Sequence, residues 1–144
     1  QGSRVLVSKQ GTLIERVTSG SFVHDTKLPQ LTALRITGMP ESDALLTQTV
    51  TMRPALLHLD ISHNTAVTDQ GIFDILYTLH HLRSLNIQHC KALTNLAVAH
   101  VAQGRGNTLT TIYMDIKNPD APTTELVIAE FGQKCIKLQY LNVN

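Results

Sequence analysis

The side chains through which this 144-residue chain could do chemistry are seven histidines, two cysteines and eleven Asp+Glu. His58, Asp60 and His63 lie close in sequence, His89 falls at the position equivalent to His63 on the neighbouring predicted strand, and imidazole nitrogens with a carboxylate are a donor set for zinc. Cys90 follows His89 directly, a pairing that suggests a thiol nucleophile beside a base. Both ideas have plainer rivals. Seven histidines in a chain of this length cluster by chance, and neighbouring residues of a strand point to opposite faces, which separates His89 from Cys90. The chain also lacks G-x-S-x-G, H-E-x-x-H and a phosphate-cradling glycine loop. Gly104-Arg105-Gly106 precedes a predicted strand and reads as a return loop with a helix stop, as His80-His81 reads as part of another loop. The expectation is surface histidines, a structural Cys90, no metal, no cofactor and no enzyme activity.

What positions these residues is a repeat. An apolar spacing L-x-x-L-x-L recurs at Leu31-Leu34-Ile36, Leu56-Leu59-Ile61, Leu82-Leu85-Ile87, Leu109-Ile112-Met114 and Leu138-Leu141-Val143. The starts are 25, 26, 27 and 29 residues apart. Within each triplet the last two apolar positions are two apart, as a half-buried strand requires. A further copy is expected at Val5 and Val7, 29 residues before Leu34 and Ile36. Between the triplets lie helical segments: Ser42 to Met52, Asp69 to Leu79, Thr94 to Gln103 and Thr123 to Lys134. In the second, Ile72, Ile75, Leu76 and Leu79 share one helical face, and Thr68 or Asp69 is placed to cap its first turn. Pro122 before the last segment and Gly104 after the third suit a helix start and stop.

Strand, turn, helix and return loop, repeated at about this period, make an α/β solenoid in which neither element can bury its apolar side alone. Parallel strands line the concave face and helices the convex one. Residues between the apolar strand positions then stack in columns about 4.8 Å apart. One column reads Ala33, His58, Ser84, Thr111, Tyr140, and the next Arg35, Asp60, Asn86, Tyr113, Asn142. A third reads Thr37, Ser62, Gln88, Asp115, Asn144, flanked by Gly38, His63, His89 and Ile116. Polar columns with Tyr and Arg anchors suit a protein partner. The expected partner-binding residues are Arg35, His58, Asp60, His63, Asn86, Gln88, His89, Tyr113, Asp115, Tyr140 and Asn142.

The string from Pro54 to Ile72, with Leu56, Leu59, Ile61, Asn64, Val67, Thr68, Asp69 and Gly71, and the string from Cys135 to Val143 resemble the cysteine-containing class of leucine-rich repeat. That class follows a C-P-x-L-x-x-L-x-L-x-x-C-x-x-(I/L)-T-D-x-G pattern and is best known from F-box/leucine-rich-repeat proteins. The resemblance covers roughly Lys27 to Asn144. It implies a right-handed βα leucine-rich-repeat arc whose concave face holds a partner, as in the substrate-recognition part of a ubiquitin ligase. The chain departs from the pattern in several places. Only Cys90 fills the turn cysteine, where Met39, Asn64 and Lys117 stand in other copies, and only Cys135 the one before the strand. The Thr-Asp-x-Gly turn is intact once, at Thr68 to Gly71, reduces to Ser42-Asp43 and Thr94-Asn95, and is unrelated at Asp115 to Pro122. No F-box-like helical segment precedes the repeats. By this division residues 1–3 are the scar of a cleaved tag, 4–26 a divergent N-terminal or capping repeat, and 27–144 about four and a half repeats.

Composition agrees with a repeat more than with an irregular globule. There are 20 Leu but three Phe, three Tyr and no Trp, and the repeat accounts for most of the Leu. Twelve Lys+Arg against eleven Asp+Glu leave no electrostatic footprint for nucleic acid, and no apolar run approaches the roughly 20 residues of a membrane span. Two distant cysteines with no CxxC, no Asn-x-Ser/Thr sequon and no charged-then-apolar leader point to an intracellular, cytoplasmic protein. The expected function is a protein-interaction module. The alternatives are a scaffold block packed within a larger assembly and, less favoured, a metal-dependent or thiol enzyme.

Overall fold

The computed structural model describes residues 3–7, 13–17, 30–36, 43–105, 107–115, 129 and 131–143. The expectations for Thr37, Gly38, Met39, Ser42, Ile116, Lys117 and Asn144, for the turn after Asp115 and for most of the fourth helix lie outside these residues. Of that helix, residues 129 and 131–134 are helical.

In chain order the elements are β1 (Ser3–Val7), β2 (Leu13–Val17), β3 (Ala33–Ile36), α1 (Asp43–Thr51), β4 (His58–Asp60), α2 (Asp69–Thr78), β5 (Ser84–Asn86), α3 (Asn95–Arg105), β6 (Thr111–Met114) and β7 (Tyr140–Val143). The seven strands form one sheet in sequential order. From β2 to β7 every pairing is parallel, each strand reached from its predecessor through a crossover, while β1 pairs antiparallel with β2. The expected α/β solenoid is therefore the observed architecture.

The register follows from burial. A slip of one residue would turn every apolar side chain of a strand outward, so the rows are strongly specified. Leu34, Leu59, Leu85, Ile112 and Leu141 stand side by side across five strands. Leu31, Leu56, Leu82 and Leu109 form a second buried set, and Ile36, Ile61, Ile87 and Met114 a third. The helices close this layer with Leu46 and Val50 from α1, Ile72, Ile75 and Leu76 from α2, and Ala97, Val98, Val101 and Ala102 from α3. Each fully buried Leu or Ile stabilises the array by about 1.5–3 kcal/mol. One polar intruder was not foreseen. Arg53 is buried beside the end of α1 and donates from Nη1 to the Thr49 carbonyl at 2.9 Å.

Two expectations need correction. The neighbour of β3 is β2, with Glu15 opposite Leu34 and Val17 opposite Ile36, so the preceding strand is Leu13–Val17 and not a copy at Val5 and Val7. Val5 and Val7 lie one strand further out, on the antiparallel return of a hairpin. Helix α3 also runs through Gly104 to Arg105 instead of stopping before the glycine. Its last turn is held by Arg105, which donates from Nε to the Leu79 carbonyl at 2.7 Å and from Nη2 to the Tyr77 carbonyl at 3.3 Å.

Candidate functional site

The turns that leave the strands are built by side chains bridging successive repeats. Asn64, fully buried, donates from Nδ2 to the carbonyls of Ile61 in its own repeat and Ile36 in the preceding one, both at 2.7 Å. Cys90 occupies the equivalent place one repeat on and donates from Sγ to the Ile61 carbonyl at 3.2 Å. Burial pushes the Cys90 thiol up to about 11, with the Asp115 and Asp60 carboxylates adding to the rise and its backbone hydrogen bond at Asn64 opposing it. A thiol so disposed stays protonated near neutrality and serves the turn, as expected from the repeat; among the described residues the neighbouring Asp115 and Asp60 carboxylates work against a thiolate. His89, beside it in sequence, is exposed.

His63 and His89 sit at the turn position where the backbone enters the left-handed region, with φ of 63° and 59°. Their rings lie 4.5 Å apart, tilted by 31°. The His89 backbone N–H and Nδ1 both contact Asp115 Oδ2, at 2.7 and 2.8 Å. Asp115 Oδ2 is thus committed to His89, while its Oδ1 is buried without a hydrogen-bond partner. Among the described residues no group of three or more His, Cys, Asp or Glu is placed to hold a metal ion.

The helix starts are also closed across repeats. Thr68 and Asp69 do not cap their own helix with a side-chain bond. Instead the Asp43 carboxylate accepts from the Thr68 backbone N–H at 3.0 Å and from its hydroxyl, and Asp69 accepts from the Thr94 N–H and hydroxyl and from the Ala97 N–H at 3.2 Å. Each acid thus satisfies orphan donors at the start of the next repeat, where the helix dipole also favours negative charge. Gly71 is needed for this approach, because a Cβ there would collide with the Asp43 carboxylate. The Thr-Asp-x-Gly sequence is therefore a docking surface between repeats.

On the sheet face away from the helices the predicted columns are in register. Ala33, His58, Ser84, Thr111 and Tyr140 are aligned, as are Arg35, Asp60, Asn86, Tyr113 and Asn142. Arg35 Nε meets Asp60 Oδ2 at 3.1 Å. Tyr113 and Tyr140 bring their rings within 5.2 Å, tilted by 44°, and Tyr140 remains 47% exposed. Asn142 donates to the Tyr140 hydroxyl at 3.4 Å and accepts from Gln88 Nε2 at 3.5 Å, tying the far columns together. Some of these groups also have structural duties. Asp60 Oδ1 accepts from the Ser62 N–H and hydroxyl, and Asn86 Oδ1 from the Gln88 N–H, each closing the turn two residues on. In the third column Ser62 is buried and the Asp115 side chain is only 9% exposed, so these two face the turn more than the solvent.

One residue of this face escaped the sequence reading. Arg83, exposed, precedes the strand proper and belongs to the row Thr32, Leu57, Arg83, Thr110, Gln139, whose backbones are hydrogen-bonded in succession. The signal for it in the sequence is its position one residue before Ser84, ahead of the alternating strand positions. Partial burial first, and the Arg83 charge second, lower the pKa of His58.

On the opposite, helical side Phe73, Tyr77 and Leu96 are exposed. Phe73 packs edge-on against His100 at 5.1 Å and lies 6.4 Å from Tyr77. With Leu76, Gln103, Gly104 and Arg105 these aromatics line a shallow cavity of about 230 Å³.

Residues 54–76 and 78–98 each match the family model of a leucine rich repeat. The fold is a leucine-rich-repeat arc. The two matched segments contain β4, α2, β5 and the start of α3, which are the elements that carry Asn64, Cys90 and the Asp69 clasp. Leucine-rich repeats generally mediate protein–protein interaction and are typically non-enzymatic. Among the described residues no helix is long and apolar enough to cross a membrane.

Proposed function

We propose that this leucine-rich-repeat arc is a protein-interaction module that grips a partner protein through the strand face. The observation that carries the reading is the Tyr113–Tyr140 pair, in which an exposed Tyr140 packs on a half-buried Tyr113 that shares its column with the Arg35–Asp60 ion pair, on strands whose spacing the repeat fixes. Rigid aromatic area beside charge-assisted hydrogen-bonding groups is the composition of binding hot spots. His58, Asn86, Gln88 and Asn142 supply adaptable polar contacts around these anchors, and His63, His89 and Asp115 border them at the turns.

The test is capture of cellular proteins by the parent chain and by a triple variant, Arg35→Ala, Tyr113→Ala and Tyr140→Ala, with Asp60 kept because it closes its own turn. The expected result is loss of specific partners with a melting temperature close to the parent's. Retention of every partner by the triple variant refutes the strand-face reading. The finer reading, substrate recognition for a ubiquitin ligase, is supported by the likeness of residues 54–72 to F-box-associated repeats, and predicts that ligase subunits co-purify with the full-length protein. A cytoplasmic setting fits two buried cysteine thiols.

A scaffold role is favoured by one specific observation: Phe73, Tyr77 and Leu96 are exposed together on the helical side, where packing against other parts of an assembly would cover them. Loss of assembly on Tyr77→Ser with Leu96→Ser, and not in the triple variant, would select that reading.

A further inference from the structure

Resting on the strand-face reading, we propose that the partner segment bound there is extended and carries a carboxylate that docks on Arg83 beside His58, with an apolar or aromatic side chain three or four residues away that packs on the Tyr113–Tyr140 pair.

The first argument is charge. On this face Arg35 is answered by Asp60, and Asp115 is engaged by His89. Arg83 is exposed and has no carboxylate partner among the described residues. A protein surface that covers this face removes water from the guanidinium, and an unpaired buried charge is costly enough to weaken any complex that does not supply an anion. A carboxylate fits better than a phosphate group. One guanidinium next to an imidazole whose pKa is lowered offers a single full positive charge, which matches one carboxylate and leaves a phosphate's second charge unanswered.

The second argument is spacing. His58, Ser84, Thr111 and Tyr140 stand in one row on β4, β5, β6 and β7. At about 4.8 Å per strand, Tyr140 is about 10 Å from the Ser84 position and about 14 Å from that of His58. An extended chain crossing the strands advances about 3.3 Å per residue, so three or four residues separate side chains that reach these two places. The half-buried Ser84 and Thr111 between them offer hydroxyls to the crossing backbone.

The probe is a library of random 12-residue peptides displayed on phage, selected against the purified chain. The expected outcome is enrichment of peptides with Asp or Glu three or four positions from an aromatic or branched aliphatic residue. Binding of synthetic copies should fall roughly ten-fold or more on Arg83→Gln, the scale of one desolvated charged contact, and also on Tyr140→Ala. Because Arg83 is exposed, the Arg83→Gln protein should melt as the parent does, which separates lost contact from lost fold. Selected peptides that need Tyr113 and Tyr140 but lack an acid, or bind Arg83→Gln as tightly as the parent, overturn this inference and leave the strand-face reading standing. Peptides indifferent to Tyr113, Tyr140 and Arg83 together overturn both.

Discussion

Replacing Asn64 measures how much of this array depends on bonds between repeats. Asn64 is fully buried, and its Nδ2 donates to the Ile36 and Ile61 carbonyls. In Asn64→Ala both bonds vanish, but their consequences differ. The Ile61 carbonyl keeps the Cys90 thiol as a donor, so its loss is that of one ordinary hydrogen bond, about 1 kcal/mol. The Ile36 carbonyl loses this side-chain donor in a buried setting, about 1–3 kcal/mol. The sum is about 2–4 kcal/mol, which for a chain of this size lowers Tm by roughly 5–15 °C. Asn64→Cys restores a donor of the kind Cys90 already uses toward the preceding repeat, and should recover about half of the loss. The assay is urea unfolding with the slope m held as a check that cooperativity is unchanged. Asn64→Ala within about 0.5 kcal/mol of the parent, or Asn64→Cys no better than Ala, would refute the claim that these turn residues bridge repeats.

Further outcomes follow from the same structure. Gly71→Ala should cost about 1–3 kcal/mol because its Cβ displaces the Asp43 carboxylate from Thr68. In an Asp43→Ala background the same change should be neutral or stabilising, as Ala is the better helix former, and an additive cycle would contradict the clasp. With its thiol pushed up to about 11, Cys90 should resist a disulfide reagent at pH 8 in the native protein and react once denatured; fast native labelling of Cys90 would contradict its burial. The folded His58 has a pKa below its unfolded value of 6.5, so the unfolded chain takes up the proton first as pH falls. Stability should therefore decline below about pH 6.5 and level off once the folded imidazole is protonated, with the decline reduced in His58→Gln. An identical pH profile for that variant would assign the effect elsewhere.

The parts legible in the sequence are those fixed by apolar periodicity. Leu59, Leu85 and Ile112 announce strand register because a one-residue slip would expose them, and the columns holding Tyr113 and Tyr140 follow without further information. Helices α1 and α2 fall within one residue of their expected ends. The parts that were hidden are polar bonds between residues about 25 positions apart. Thr68 and Asp69 read as a local cap, since local capping is what sequence proximity suggests, yet their side chains bond to different neighbouring repeats. Gly104 reads as a helix stop until Arg105 is seen to bond the end of α2 and hold the last turn. Nothing in the spacing around Arg53 foretold a buried guanidinium. Arg83 is illegible from the alternation for a geometric reason: its backbone sits at the strand entrance, outside the positions that alternate.

The clasps formed by Asp43, Asp69 and Arg105 span 25 to 28 residues of chain each. Every unit therefore carries half of a lock whose other half is held by its neighbour. Insertions or deletions of a few residues would misalign acid, glycine and receiving helix start at once, whereas gain or loss of a whole unit would bring matching halves together again. Such an array can change in length over evolutionary time only in quanta, each step adding or removing one strand's width of strand face, and with it one position from which a partner can be read.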